Sequence, residues 1–555
     1  MRGTLAVLLA AALAAGCSVH ERVASAVKKS GPSDEVSVCV IFCDGLSSHA
    51  FASQLAAGNL PNLKREIVDR GLSFDTAVAS VPSETYPNLS AMLTGLLPGH
   101  HGIPANIWID RKLRRPERHT NVFRSFAANA FLEPSALTLF ERLPHDTVAL
   151  TTPIARGATV HTRSITGIIA SYARNDWQFV DARTLDDAGD AYAGAAEEKK
   201  VPSLVWAHLF GIDESAHADG PDSPAFSQML ATDDAAFGRL VRRLKRRGVY
   251  ERVLFVLVGD HGNAPYKTYI DADELVHRAL FSHPMESDCS KGDCYLVAPG
   301  HGHGARKYDV GDAIVVVGAY RGIMVWLPGA HPPEDVPPVP RRKRKRKVVT
   351  LPALGSPARP LPPRSELAVT LAHMPPIQIV VARGAEPGTV DVTGRAGRAL
   401  IAREDHENDS FYSYRVLEGD DPLGYADVPE IHALFGQALP AQRWLDLTAE
   451  TEYPDLPVQL PEYFDSPRAP DILLSPRDGF GFTQDRAAGH GSLTRLETVV
   501  PLVFAGPGVP HGRRKVARTV DLAPTLLRYL GVPFDASAMD GDDLGLRNVA
   551  VLADR

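Results

Sequence analysis

Three apolar runs in this chain stop at an aspartate: "EVSVCVIFCDG" at Asp44, "SLVWAHLFGID" at Asp213 and "RVLFVLVGDHG" at Asp260. A single Asp in such a place often does no more than open a turn or cap the next helix. Two of these have company. His261 follows Asp260 directly, and His217 follows Asp213 by four residues, the spacing that puts two side chains on one face of a helix. A mixed carboxylate and imidazole set favours Zn2+, with Mn2+ as the alternative, over Mg2+ or Ca2+, which prefer oxygen. A second ion needs a further ligand, and His490 in "AAGHGSLTRLETVVPLVFAGPG" is a candidate. His301 and His303 in "PGHGHGARK" compete for that place, but their glycine neighbours read as a loop. Thr85 in "SVPSETYPNLSAMLTGLLPGHHGI" stands at the head of a helix-like stretch, one residue before an aromatic and a proline, where a hydroxyl has something to attack or bind.

These residues need a frame that carries them to one place. The Asp-terminated runs are dense in β-branched residues, and "LSFDTAVASV" and "TVVPLVFAGPGV" read as further strands. Between them, "PNLKREIVDRG", the stretch from Thr85, "SPAFSQMLATDDAAFGRLVRRLKRRGVY" and "TVDLAPTLLRYLGV" have helical periodicity. Continuous apolar strands alternating with helices predict an α/β fold: a mostly parallel central sheet covered by helices on both faces. In such sheets ligands sit beyond the carboxyl ends of the strands, where the aspartates are expected to converge.

The frame is interrupted. Residues 285–484 hold the strand-like "AIVVVGAYRGIMVWLP" and "IQIVVARG" together with a Pro-rich loop and seven consecutive basic residues, Arg341 through Lys347. We read this as an inserted cap-like region carrying a solvated basic loop, with an anionic lipid headgroup as the loop's alternative contact. The expected organisation is a signal peptide over residues 1–17, a tether over 18–34, core over 35–284, the insertion over 285–484 and core again over 485–555. "MRGTLAVLLAAALAAGCSVH" has a basic start and an apolar run too short to span a bilayer, and "LAAGC" resembles a bacterial lipobox ending at Cys17. A lipid on Cys17 would hold the protein at the cell envelope. Ser18 carries no acidic retention signal, which points to the outer membrane. Cys39 and Cys43 read as buried core thiols, while Cys289 and Cys294 flank a short polar loop and could pair. A net charge of −7 on 555 residues does not point to a nucleic acid partner.

Together "FCDG", "PSETYPN…LTGLLPGHHGI", "DESAHADGPDS", "GDHG" and "GHGS…VPLVFAGPGV" resemble the alkaline phosphatase superfamily, nearest to the type I nucleotide pyrophosphatases/phosphodiesterases and their bacterial relatives. The resemblance covers roughly residues 36–284 and 485–535, in the same order. It implies an alkaline-phosphatase-like fold, two zinc ions and a Thr or Ser nucleophile. Carried over residue by residue, one ion would be held by Asp44, Thr85, Asp260 and His261, and the other by Asp213, His217 and His490. Asn106 in "HGIPANIW" matches an asparagine whose amide steadies a phosphoryl oxygen. Coordination would make the Thr85 hydroxyl nucleophilic, and the helix N-terminus would face an anionic phosphate with unpaired N–H groups. The implied activity is hydrolysis of a small phosphate ester through a phospho-threonine, most simply a diester or nucleotide pyrophosphate.

Alternatives on the same site are a phosphomonoesterase and a phosphonoacetate-type hydrolase. A monoesterase needs further cations for the terminal oxygens, and the sequence does not choose among Arg156, Arg163 and their neighbours. "SETYPN" lacks the Cys/Ser-x-Pro-x-Arg context of sulfatases. A different class, a catalytically inactive surface-binding lipoprotein on the same scaffold, would be expected to have lost ligand positions, and here all seven are filled.

Overall fold

The computed structural model describes residues 36–111, 115–119, 125–162, 168, 171, 176–193, 201–281, 297–299, 314–327, 362–406 and 409–546. Cys17, Arg163, Cys289, Cys294, His301, His303 and the basic run 341–347 lie outside the described residues.

Every residue of Ser37–Cys43 (β1) is buried, as an interior strand covered on both faces requires. Its side chains alternate between two apolar clusters. Val38, Val40 and Phe42 join one with Leu89 and Met92, and Cys39, Ile41 and Cys43 join the other with Phe226 and Leu240. Phe42 packs against Trp206 at 5.7 Å and His208 at 4.6 Å, so its truncation to Ala would cost about 3–5 kcal/mol. β1 lies between Leu204–Leu209 (β2) and Val253–Gly259 (β3), parallel to both, with Cys43 level with Leu209 and Gly259. The sheet runs Val499–Val500, Leu72–Val78, Leu502–Ala505, β3, β1, β2, Thr147–Leu150, Val160–Thr162, with Gly512–Arg518 also paired to Leu72–Val78. Leu502–Ala505 is antiparallel to both its neighbours, and the stretch from β3 to Val160–Thr162 is parallel throughout.

Two helices matter for the site. Thr85–Thr94 (α1) is buried along its whole length and ends at Gly95, whose φ of +74° gives the left-handed stop that favours glycine. Gly211–Asp219 (α2) follows β2 after the single residue Phe210. Asp213 therefore does not end a strand, contrary to expectation. The apolar run continues past Leu209, but the backbone has already turned helical, and Asp213 sits in the first turn of α2. "PNLKREIVDRG" also differs from a plain helix, since the turn Pro61–Leu63 runs into a π-helical turn over Lys64–Val68.

A second sheet of nine strands runs from Val297–Pro299 to Leu439–Pro440 and is antiparallel after its first pair. It is not a separate body. Met324, Ile379 and Tyr414 from it belong to the same apolar cluster as Val38 and Trp206 of the first sheet. Its turn between Ile314–Gly318 and Ile323–Trp326 reaches the edge where β1 and β3 end. Cys39 and Cys43 are free and buried, and burial pushes the Cys39 thiol up to about 12. No helix among the described residues is long and apolar enough to cross a membrane.

Candidate active site

Because β1 and β3 are adjacent and end level, Asp44 and the Asp260–His261 pair emerge side by side. The tight turn after Asp44 needs a glycine. Gly45 has φ +73°, and a Cβ there would stand 2.6 Å from Asp213 Oδ1. That close approach brings α2 against the end of β1.

Thr85 is the first residue of α1, with its Oγ1 3.4 Å from Asp44 Oδ1 and 3.2 Å from His261 Nε2. His261 Nε2 is 3.5 Å from Asp44 Oδ1 and 3.4 Å from Asp260 Oδ2. On the other side, His217 Nε2 lies 3.1 Å from Asp213 Oδ2, and the His490 ring stacks on His261 at 3.7 Å and approaches His217 at 5.2 Å. Ligand atoms of Asp44, Asp260 and His261 lie within 4.8 Å of one another, as do those of Asp213, His261 and His490. All seven expected ligand positions thus gather at one edge, and Asn106 joins them through a bond from Tyr86 N–H to its Oδ1 at 2.9 Å.

The donor set fits metal ions. Each histidine gives its Nδ1–H to a backbone carbonyl: His217 to Ala488 at 2.9 Å, His490 to Ser83 at 2.8 Å and His261 to Gly262 at 3.2 Å. That leaves the three Nε2 lone pairs for the site, the arrangement by which metal-ligating histidines are oriented. Asp260 Oδ2 is buried with no hydrogen-bond partner. Burial and the neighbouring Asp260 and Asp213 charges push the Asp44 carboxyl well above its usual range, and burial likewise raises Asp260. Burial also works against the Asp213 carboxylate, but His217 beside it outweighs that and holds the group low. Burial, with His261 beside it, keeps His490 neutral. Crowded buried carboxylates with imidazole nitrogens turned in among them are what a multivalent cation relieves.

Five further residues shape the site without having been expected. His208 Nε2 meets Asp44 Oδ2 at 2.8 Å, fixing the carboxylate from β2. Asn263 Nδ2 donates to Asp213 Oδ1 at 2.9 Å, and its place just after "GDHG" was the available signal. Tyr320, on the turn from the second sheet, lays its ring on His217 at 3.7 Å, and Arg321 beside it donates its N–H to the His490 carbonyl at 2.8 Å. Glu84 is buried next to Thr85, and burial pushes its carboxyl up to about 7. Arg156, by contrast, spends its guanidinium on Glu141 and on the carbonyls of Leu132, Glu133 and Ala136, away from these residues.

A family model described as type I phosphodiesterase / nucleotide pyrophosphatase matches residues 38–318. An uncharacterized pyrophosphatase/phosphodiesterase of Schizosaccharomyces pombe is 26% identical over 230 residues, 41% of this chain and 45% of its own. The chain spans less than half the length of the curated relatives it matches. Among solved structures, human ectonucleotide pyrophosphatase/phosphodiesterase 5 aligns with a TM-score of 0.52 at 15% identity, covering 93% of this chain and 99% of that one. An inactive Thr-to-Ala variant of the murine protein, in complex with AMP, aligns with a TM-score of 0.50 at 15% identity over 94% of this chain and all of that one.

Proposed function

Because this chain belongs to the type I phosphodiesterase / nucleotide pyrophosphatase family, we propose that it hydrolyses small phosphoric diesters or nucleotide pyrophosphates with Thr85 as the nucleophile. The observation that carries this reading is the Thr85 hydroxyl, set at the N-terminus of α1 between Asp44 Oδ1 and His261 Nε2.

Asp44, Thr85, Asp260 and His261 would hold one ion, and Asp213, His217 and His490 a second, with Zn2+ the best match to this donor set and Mn2+ the alternative. When bound, such ions supply Lewis acidity, making the hydroxyl more acidic and offsetting charge on the oxygens at phosphorus. The chain does the rest. α1 holds Thr85 Oγ still and presents the positive end of its dipole to an incoming phosphate. Oγ attacks phosphorus in line, the P–O bond to the leaving group breaks, and the phosphoryl group passes to Thr85. Asn106 Nδ2 offers a donor to an equatorial oxygen as charge develops. Water then cleaves the phospho-threonine and returns the hydroxyl. Arg156, one of the cations that a monoester site could have used, is committed elsewhere.

The test compares turnover of bis-p-nitrophenyl phosphate, p-nitrophenyl phosphate and the phenylphosphonate ester by the zinc-loaded protein and its Thr85→Ala variant. Diester or phosphonate ester preference, lost in a variant that keeps its metal, is the expected result. Monoester preference would move the function to a phosphatase, and full activity in the variant would remove Thr85 from its role. Anchoring to the bacterial outer membrane through a lipid on Cys17 is part of the same proposal, and lipid-precursor labelling that disappears in Cys17→Ser tests it.

A further inference from the structure

The helix that carries Thr85 is not capped by its own N-cap residue. That position is Glu84, whose side chain makes no capping bond to α1. The third helical residue is Pro87, which has no N–H to cap, so the Tyr86 N–H is the one that a cap would normally satisfy. Asn106 takes that bond from a loop 20 residues away. Glu84 answers in kind, since its Oε2 accepts the Asn106 backbone N–H at 2.5 Å. A capping box makes the same exchange within one turn. Here it is split across two segments, and it locks the Asn106 loop to the start of α1.

The lock also decides which way the Asn106 amide faces. Tyr86 N–H is a donor, so the atom against it must be Oδ1. Nδ2 is left as the outward end of a partly buried side chain, and it makes no hydrogen bond among the described residues. We propose that Glu84 is a positioning residue, whose carboxylate holds the Asn106 loop so that Asn106 Nδ2 points at the phosphoryl group. The inference rests on the reading of Thr85 and Asn106 given above. A donor aimed in advance at developing charge lowers the barrier without reorganisation, whereas one on a loose loop loses much of that advantage.

Glu84→Asp separates this role from a merely structural one. The shorter side chain draws back from the Asn106 N–H, while Asp is itself a strong N-cap and takes the Tyr86 N–H in place of Asn106. The variant should melt at or above the wild-type temperature and keep its metal, with KM for bis-p-nitrophenyl phosphate little changed and kcat lower by about tenfold or more. Combining it with Asn106→Ala should be no slower than Asn106→Ala alone, because both act through one amide. Glu84→Gln keeps an acceptor at full reach and should retain most of the activity. Glu84→Ala, a second route to the same release, should show the kcat loss without the gain in capping. Wild-type kcat in Glu84→Asp, or losses that multiply in the double variant, would overturn the assignment of Glu84 alone. A wild-type protein with no turnover of any of the three esters would overturn the functional reading as well.

Discussion

His100 and Asp540 are separated by 440 residues and meet through Nδ1 and Oδ2 at 2.7 Å. The other ring nitrogen of His100 faces Glu462 at 3.3 Å and Asp465 at 3.4 Å, and Arg403 bridges the same two carboxylates. With a carboxylate on each side, the imidazole is held doubly protonated. It ties the turn just after α1 to the end of the helix Leu456–Tyr463 and to the C-terminal segment.

Burial alone would lower the His100 pKa, but Asp465, Asp540 and Glu462 carry it up to about 10, against 6.5 unperturbed. A folded-state value raised in this way stabilises in full below about pH 6.5, and the contribution disappears as pH rises through about 10. His100→Gln should therefore melt a few degrees below wild type at pH 6, with the gap closing between pH 7 and 10. Thermal melts across that range measure it, and a gap independent of pH would contradict the ion-pair account.

Asn263 donates to Asp213 from outside the ligand set. Partners of this kind orient a ligand and typically alter metal affinity by about 10–100-fold when removed. Asn263→Ala should raise the Zn2+ concentration needed for half-maximal activity by that factor while leaving saturated activity close to normal. Titration of the chelated protein with buffered zinc measures it.

Arg321 and Glu497 are both fully buried, with Nε and Oε1 2.7 Å apart, and Glu497 also receives Ser83 Oγ–H and Ser492 N–H. Breaking such a pair leaves a stranded charge and costs about 3–5 kcal/mol. Arg321→Met should lose that much in denaturant unfolding, and adding Glu497→Gln should restore part of it. Ser83 provides the carbonyl that orients His490, so the single variant should also bind metal less tightly.

Removing the ions should destabilise the native state, because it leaves Asp44, Asp260 and Asp213 crowded without a cation. Binding to the folded state alone adds about 4 kcal/mol at a thousandfold excess over Kd. The chelated protein should melt lower, lose turnover, and recover both when Zn2+ is returned. Unchanged melting after chelation would argue against the donor set as a metal site.

How much of this was legible beforehand depends on how local each signal is. Asp44 and the Asp260–His261 pair sit at abrupt ends of apolar strands, and Asp213 and His217 stand one helical turn apart, so local pattern was enough to single them out. The same run misled at Asp213, because apolar continuity does not separate the end of a strand from the buried start of a helix. His208 gave no sign at all. It lies on a fully buried strand, and its partner Asp44 is 164 residues away. Tyr320 belongs to the segment with the weakest resemblance, and nothing near it in sequence announces His217. Glu84 stands beside Thr85 in plain view, but its role depends on a loop that only folding brings back.

The apolar cluster shared by the two sheets bears on how the molecule comes apart. Strands of both sheets bury their side chains in one continuous interior, and the turn bearing Tyr320 and Arg321 is pinned to the loop that carries His490. Each sheet also has an apolar cluster on its far face, around Ile41 and Leu240 in the first and Val325 and Val380 in the second, but the shared interior would be laid bare by the loss of either half. Heating should therefore melt the two together in one cooperative endotherm, and excising the insertion would leave an open wound in the core rather than a smaller enzyme.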